Sequence, residues 1–199
     1  IQATASLPME VTLSGAPRLL PDSLRGTIRA DSADFAIIEA FVPTVTHAKG
    51  RVFIALDVAG TWKHPTLGGQ VRMQGGELTM DDLGITLHGL TADLAVSQER
   101  DSLAIRQLRA WSPSSPADSV VVHGFVDFAD RTNPLFNLQM SAHEFRALDK
   151  RSLARLDVST VGAGITLSGR KTKSTLTGSV NIVRGTVYMP EHDVANKQL

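Results

Sequence analysis

The chain has 199 residues, 20 Lys plus Arg against 20 Asp plus Glu, and no cysteine. That length supplies one sizeable domain. Balanced charge argues against a nucleic-acid partner, which needs a net basic face, and the lack of cysteine removes disulfides, thiolate metal sites and thiol nucleophiles together.

Ile1 opens the chain without a Met or a signal-peptide pattern. No apolar run approaches the ~18 residues of a membrane span. The expectation is a single β-rich segment, 1–199, of a longer repeat protein, with any anchor outside it. Apolar bulk is Val, Leu, Ile and Met, since aromatics are only 5% of residues.

Along the chain, Val11-Thr12-Leu13-Ser14-Gly15 reads as a strand ending in glycine. Ser32 to Val42 breaks the alternation and predicts a short helix: Ser32 caps it, Phe35, Ile38, Phe41 and Val42 share a face, and Pro43 stops it. Period-two alternation then dominates. Val52, Ile54, Leu56 and Val58 share one face, broken by Gly60; Val71 and Met73 alternate with Arg72 and Gln74 before Gly75-Gly76. Leu78 and Met80, Ile85 and Leu87, then Leu90, Ala92, Leu94 and Val96 follow. Leu103 and Ile105 come next, and Ser112 to Asp118 reads as a loop between strands. The series continues through Val120 and Val122, Leu138 and Met140, Ile165 and Leu167, and Val180 and Ile182. His143 to Leu156 is richer in charge and predicts a helical turn around Glu144 to Lys150. Short runs with one apolar face, bounded by Gly, Pro, Asp or Ser, define an all-β class and favour antiparallel meanders.

An internal repeat accompanies the alternation. Gly60, Thr66, Leu67, Gly69, Val71, Gly76 and Met80 match Gly169, Thr175, Leu176, Gly178, Val180, Gly185 and Met189 at a spacing of about 109 residues. A looser copy lies in Val11 to Gly15 and Leu24 to Ile28. Weak repeats therefore start near 11, 58 and 165. A strand–turn–strand unit repeated in this way extends a structure by adding strands.

No constellation points to catalysis, a cofactor or a metal. His47, His64, His88, His123, His143 and His192 lack the His-x-His or His-x-x-x-His spacing of a metal site. Glu191-His192-Asp193 are adjacent, so on a strand they face opposite ways. Asp81-Asp82 reads as a turn, and Lys171 to Thr175 reads as a solvated hairpin loop, because no helix follows to hold a phosphate. Arg146, Lys150, Arg151 and Arg155 interleave with Glu144, Asp149 and Asp157, so a partly ion-paired face competes with a lipid-headgroup surface.

The run Gly50 to Val58, Gly60-Thr61-Trp62, Pro65, Leu67-Gly68-Gly69, Gly76, Leu78 and Leu83-Gly84-Ile85 resembles the TamB family, the translocation and assembly module proteins of the AsmA-like superfamily. Leu176 to Ile182 with Gly185 is a second stretch in the same style, and the likeness covers roughly Gly50 to Glu191. The resemblance implies an elongated, curved antiparallel sheet, a U-shaped β-taco with an apolar concave face. It implies the periplasmic portion of an inner-membrane-anchored envelope protein that works with a TamA-like outer-membrane barrel. It also implies no enzyme activity, and either phospholipid transport between the two membranes or assembly of outer-membrane and autotransporter proteins.

The residues themselves leave three possibilities: an apolar groove shielding acyl chains, open sheet edges templating client strands by β-augmentation, or a structural β-solenoid with a sealed core. In the first, the groove is lined by Val52, Ile54, Leu56, Val58, Val71, Met73, Leu78, Met80, Ile85 and Leu87. Leu94, Leu103, Ile105, Leu138, Met140, Ile165, Leu167, Val180, Ile182 and Val187 complete the lining.

Overall fold

The computed structural model describes residues 2–6, 9–10, 18–19, 24–40, 42–61, 64–112 and 115–188. The first repeat copy at Val11 to Gly15, Phe41, Trp62, and the Glu191-His192-Asp193 run lie outside the described residues.

Glycine-punctuated alternation yields an all-β fold, as the pattern predicts. The strands are β1 (Gln2–Ser6), β2 (Met9–Glu10), β3 (Arg18–Leu19), β4 (Arg25–Asp34), β5 (Val45–Gly60), β6 (Pro65–Met80), β7 (Ile85–Ser97) and β8 (Ser102–Trp111). They continue as β9 (Ser119–Asp127), β10 (Leu135–His143), β11 (Phe145–Lys150), β12 (Ala154–Thr160), β13 (Ile165–Arg170), β14 (Lys173–Thr177) and β15 (Val180–Val187). Ten of them form one curved, open antiparallel sheet in the order β1-β4-β5-β6-β7-β8-β9-β10-β13-β14. From β4 to β10 it is a plain meander, each strand pairing with the next.

A second sheet, β11-β12-β15, draws its strands from the same part of the chain. The chain crosses between the sheets at corners. Glu144 (φ +43°) turns β10 into β11, and Gly178 (φ +129°) separates β14 from β15. β11 is tied to the end of the large sheet by Arg146 N–H to the Ser112 carbonyl (3.1 Å) and Asp149 N–H to the Leu83 carbonyl (2.9 Å). Two expectations are corrected here. Glu144 to Lys150 is no helical turn but the entry to strand β11, because its backbone groups pair across to β12. Val180, Ile182 and Val187 lie on β15 in the second sheet, so they do not continue the stripe of the first.

The short helix is present as a 3₁₀ segment, Phe35–Ala40. It starts three residues later than Ser32 because β4 holds the chain extended through Asp34, whose Oδ1 accepts from Ala36 N–H (3.0 Å) in the capping role expected of Ser32. Phe35 and Ile38 face the core, as the pattern predicts. That core comprises Ala30, Ala33, Phe35, Val45, Ala48, Val52, Met73, Leu78, Leu90, Ala110 and Val120, with Phe145 of β11 packed against it.

The repeat has a physical basis in its glycines. Gly69 and its match Gly178 have φ of +128° and +129°, a region L-residues rarely adopt. A Cβ at Gly69 would collide with the Ala55 carbonyl, and one at Gly178 with the Gly164 carbonyl. The outcomes differ: β6 runs through Gly69 unbroken to Met80, whereas the chain at Gly178 leaves one sheet for the other.

The charged segment is an ion-pair ladder across the second sheet. Asp157, 2% exposed, sits between Arg146 Nε (2.9 Å) and Arg184 Nε (3.1 Å). Asp149 joins Arg146 (3.4 Å) to Arg155 (3.1 Å). The Asp149 hydrogen bond and charge raise the Arg155 pKa further above its ordinary value. Arg146 and Arg155 are thus committed to carboxylates rather than left for headgroups.

Two predictions follow from this geometry. Gly69→Ala lowers stability by about 2 kcal/mol or more through strain and the carbonyl clash, whereas Gly68→Ala costs less because only the flexible Gln98 side chain must move. Urea midpoints of the two variants check the order. Arg146→Met costs about 3 kcal/mol by leaving buried Asp157 under-compensated; Arg184→Met costs less, since that side chain is 63% exposed. Equal costs for the two arginines overturn the ladder's assigned hierarchy.

Candidate functional site: an apolar sheet face

Residues directly opposite in an antiparallel ladder project to the same face, so register assigns the faces of the sheet. One row runs Ala30, Ile54, Val71, Leu94, Ile105, Gly124, Leu138, Leu167, Leu176, from β4 to β14. A second runs Ala33, Val52, Met73, Ala92, Leu108, Val122, Met140, Ile165. A third runs Ile28, Leu56, Gly69, Val96, Leu103, Val126, Phe136, Gly169. None of these three rows contains a charged side chain. At a strand spacing of about 4.8 Å the first row spans about 38 Å of arc.

The opposite face is mixed and mostly polar. Its central row is Arg29, Ala55, Gln70, Ala95, Ala104, Phe125, Asn137, Ser168, Thr175. Arg29 pairs with Asp57 at 2.8 Å and His123 Nε2 lies 3.0 Å from Gln139 Oε1. His88 Nδ1 lies 3.0 Å from Glu77. These histidines serve polar contacts, and among the described residues no three His, Asp or Glu side chains gather into a metal-binding group. No helix among them is long and apolar enough to cross a membrane.

Of the predicted lining, Val52, Ile54, Leu56, Val58, Val71, Met73, Leu94, Leu103, Ile105, Leu138, Met140, Ile165 and Leu167 share the apolar face. Leu78, Met80 and Leu87 belong to the packed core where β5, β6 and β7 bulge, and Ile85 is buried at 3% exposure. Reading by sequence missed Leu67, Leu108, Val126, Phe136 and Leu176. Alternation through Val120, Val122 and Val126 carries a signal for one of them; Leu108 is hidden by a bulge between Ile105 and Leu108 that shifts the parity.

The face is covered unevenly. Val52, Met73, Ala110 and Val120 lie under the 3₁₀ helix and Phe145 at 8% exposure or less. At the β14 edge Leu176 is 67% exposed, and at the other end of the strands Leu67 is 45% exposed. There a cavity of about 440 Å³ opens, walled by Pro65, Leu67, Val96, Ser102, Leu103 and Phe128, with Asp101 and Arg131 at its polar positions. The volume is that of an ordinary small-ligand site. The arrangement offers apolar contact over a long front, and among the described residues no cluster of three metal-ligating side chains forms. No family, curated protein or solved structure matches this chain in the comparisons made.

Proposed function

We propose that the apolar face shields phospholipid acyl chains, as a non-enzymatic segment of an envelope protein that carries lipid between inner and outer membranes. In that reading, which the likeness to the TamB family motivates, the segment lies in the periplasm and a TamA-like barrel receives the full-length protein. The observation that carries it is the set of three uncharged rows crossing the sheet, packed shut at one end and open at the other. Aliphatic lining suits flexible acyl chains because it imposes no fixed geometry. Each buried CH₂ is worth ~0.8 kcal/mol, about what the chain gains in a bilayer, so exchange between bilayer and groove is near neutral and flow is not stalled.

A second reading, assembly of outer-membrane or autotransporter strands by β-augmentation, draws support from the edges. β14 and β15 are exposed along their whole length, with Leu176, Ile182 and Val187 apolar. Such edges template another strand unless something covers them.

Photo-crosslinking in cells separates the two. A crosslinker at Leu56 or Leu103 is expected to capture lipid, and one at Thr175 on the β14 edge to capture none. Protein adducts at the edge with no lipid on the stripe favour the second reading. In parallel, Leu56→Asp keeps the fold but lowers co-purifying phospholipid about tenfold or more. Val52→Asp, at the covered end, unfolds the protein at a cost above about 3 kcal/mol. If Leu56→Asp also unfolds it, the whole face is a sealed core and the shielding reading fails.

A further inference from the structure

The loop between β9 and β10, residues 128–134, is a strap over the open end of the apolar face. At one end it is moored to the β13–β14 turn: Asn133 Oδ1 accepts from Thr172 N–H (3.1 Å) and the Thr172 hydroxyl (3.0 Å), and Arg170 donates to the Asn133 carbonyl (3.0 Å). Its middle is braced by Asp130, whose Oδ1 accepts from the Thr132 hydroxyl (2.7 Å), Thr132 N–H (3.1 Å) and Asn133 N–H (3.2 Å). These bonds, the Thr132 hydroxyl first, hold the Asp130 carboxyl below its ordinary pKa. Across the sheet, Phe128 N–H donates to the Asp101 carbonyl (2.7 Å) and Arg131 Nη2 to the Pro65 carbonyl (3.0 Å). Pro65 begins β6, three strands from β9, or about 14 Å along the sheet. The strap therefore spans the mouth of the 440 Å³ cavity.

Two charges of opposite sign line that mouth, Arg131 and Asp101. Arg131 donates to a backbone carbonyl rather than to Asp101, so among the described residues one of its five N–H donors is used. Behind them the walls are Leu67, Val96, Leu103 and Phe128. We propose that this is a binding site for a zwitterionic phospholipid, with the acyl chain against the apolar walls, the phosphodiester on Arg131 and the headgroup ammonium on Asp101. An anionic lipid lacking the ammonium places negative charge beside Asp101, and an uncharged lipid meets neither group, so paired charges select the zwitterion. The inference rests on the acyl-shielding reading and adds headgroup selectivity to it.

The test is titration of the whole chain with palmitoyl lysophosphatidylethanolamine, palmitoyl lysophosphatidylglycerol and monopalmitoylglycerol, each below its aggregation threshold. The ethanolamine lipid is expected to bind about tenfold tighter than the other two, the scale of one charge-assisted hydrogen bond. Arg131→Gln weakens both phospholipids about tenfold, which removes the advantage of the ethanolamine lipid over monopalmitoylglycerol. Asp101→Asn removes the preference for ethanolamine over glycerol heads; Asn suits the positive φ of +45° at this position, so the turn survives. Inorganic phosphate does not compete, because it lacks the chain. Equal affinity for all three lipids, unchanged in both variants, overturns the headgroup site and leaves acyl shielding standing. Effective competition by inorganic phosphate overturns it too, since the anion then binds without the cavity. Failure of every acyl compound to bind overturns both.

Discussion

A ten-stranded sheet with one uncharged face has to take that face out of water, and the other features of this chain are responses to that constraint. The chain has no long helices to lay over the sheet; among the described residues its one helix is the six-residue 3₁₀ segment at Phe35–Ala40. That helix and the second sheet cover one end. Phe35 and Phe145 supply the bulk there, opposite small residues such as Ala30, Ala33, Ala48 and Ala110 that let the layers approach. The remainder is sheltered by curvature rather than by a second layer. A curved sheet turns its own strands toward the apolar side, and at the open end Arg131 of the β9–β10 loop reaches the Pro65 carbonyl three strands away.

Curvature in turn depends on backbone that side-chain-bearing residues resist. At Gly69 the missing Cβ lets β5 and β6 close up at the Ala55 carbonyl while β6 stays continuous. At Gly178 the same conformation carries the chain from one sheet to the other. One repeated sequence device thus serves as a coil within a strand and as a corner between sheets. What decides between them is the neighbour: β6 finds a full-length partner in β7, while the equivalent stretch, β15, pairs with β12. A glycine permits a bend, and partner strands determine what the bend becomes.

This is also why part of the fold was legible in the sequence and part was not. Period-two alternation is local, so Val52, Ile54 and Leu56 could be assigned to one face from their own segment. Parity after a bulge depends on the partner strand, so Leu108 escaped notice although it stands between Ala92 and Val122. Val180 and Ile182 repeat the pattern of Val71 and Met73 and still belong to another sheet, because alternation says that a strand has two faces and not which strand it joins. The charged stretch misled for a related reason. Arg146 and Asp149 have helical i,i+3 spacing, yet the bonds that organise them run across strands, Arg146 to Asp157 and Arg155 to Asp149. The strap was least visible of all: its reach to Pro65 joins positions 66 apart in the chain.

Uneven cover on a uniform stripe has a further consequence for how such a face would handle an acyl chain. Along the strands, composition hardly changes from Val52 to Val58, but exposure rises from buried to half-buried. Binding strength on such a surface is set by how much area remains available rather than by residue type. An acyl chain therefore gains contact across the strands, along rows such as Ile54–Val71–Leu94–Ile105, and gains little by moving toward the packed end, where core side chains already occupy the space. In the proposed acyl-shielding reading the packed end is a floor and the rows are a track. A track perpendicular to the strands is also the direction in which a sheet grows when strands are added, so length and path increase together in a repeat protein. Selectivity cannot come from the track, whose lining treats every acyl chain alike. In the proposed reading it comes from the margins, where Arg131 and Asp101 stand beside the cavity at the open end of the face.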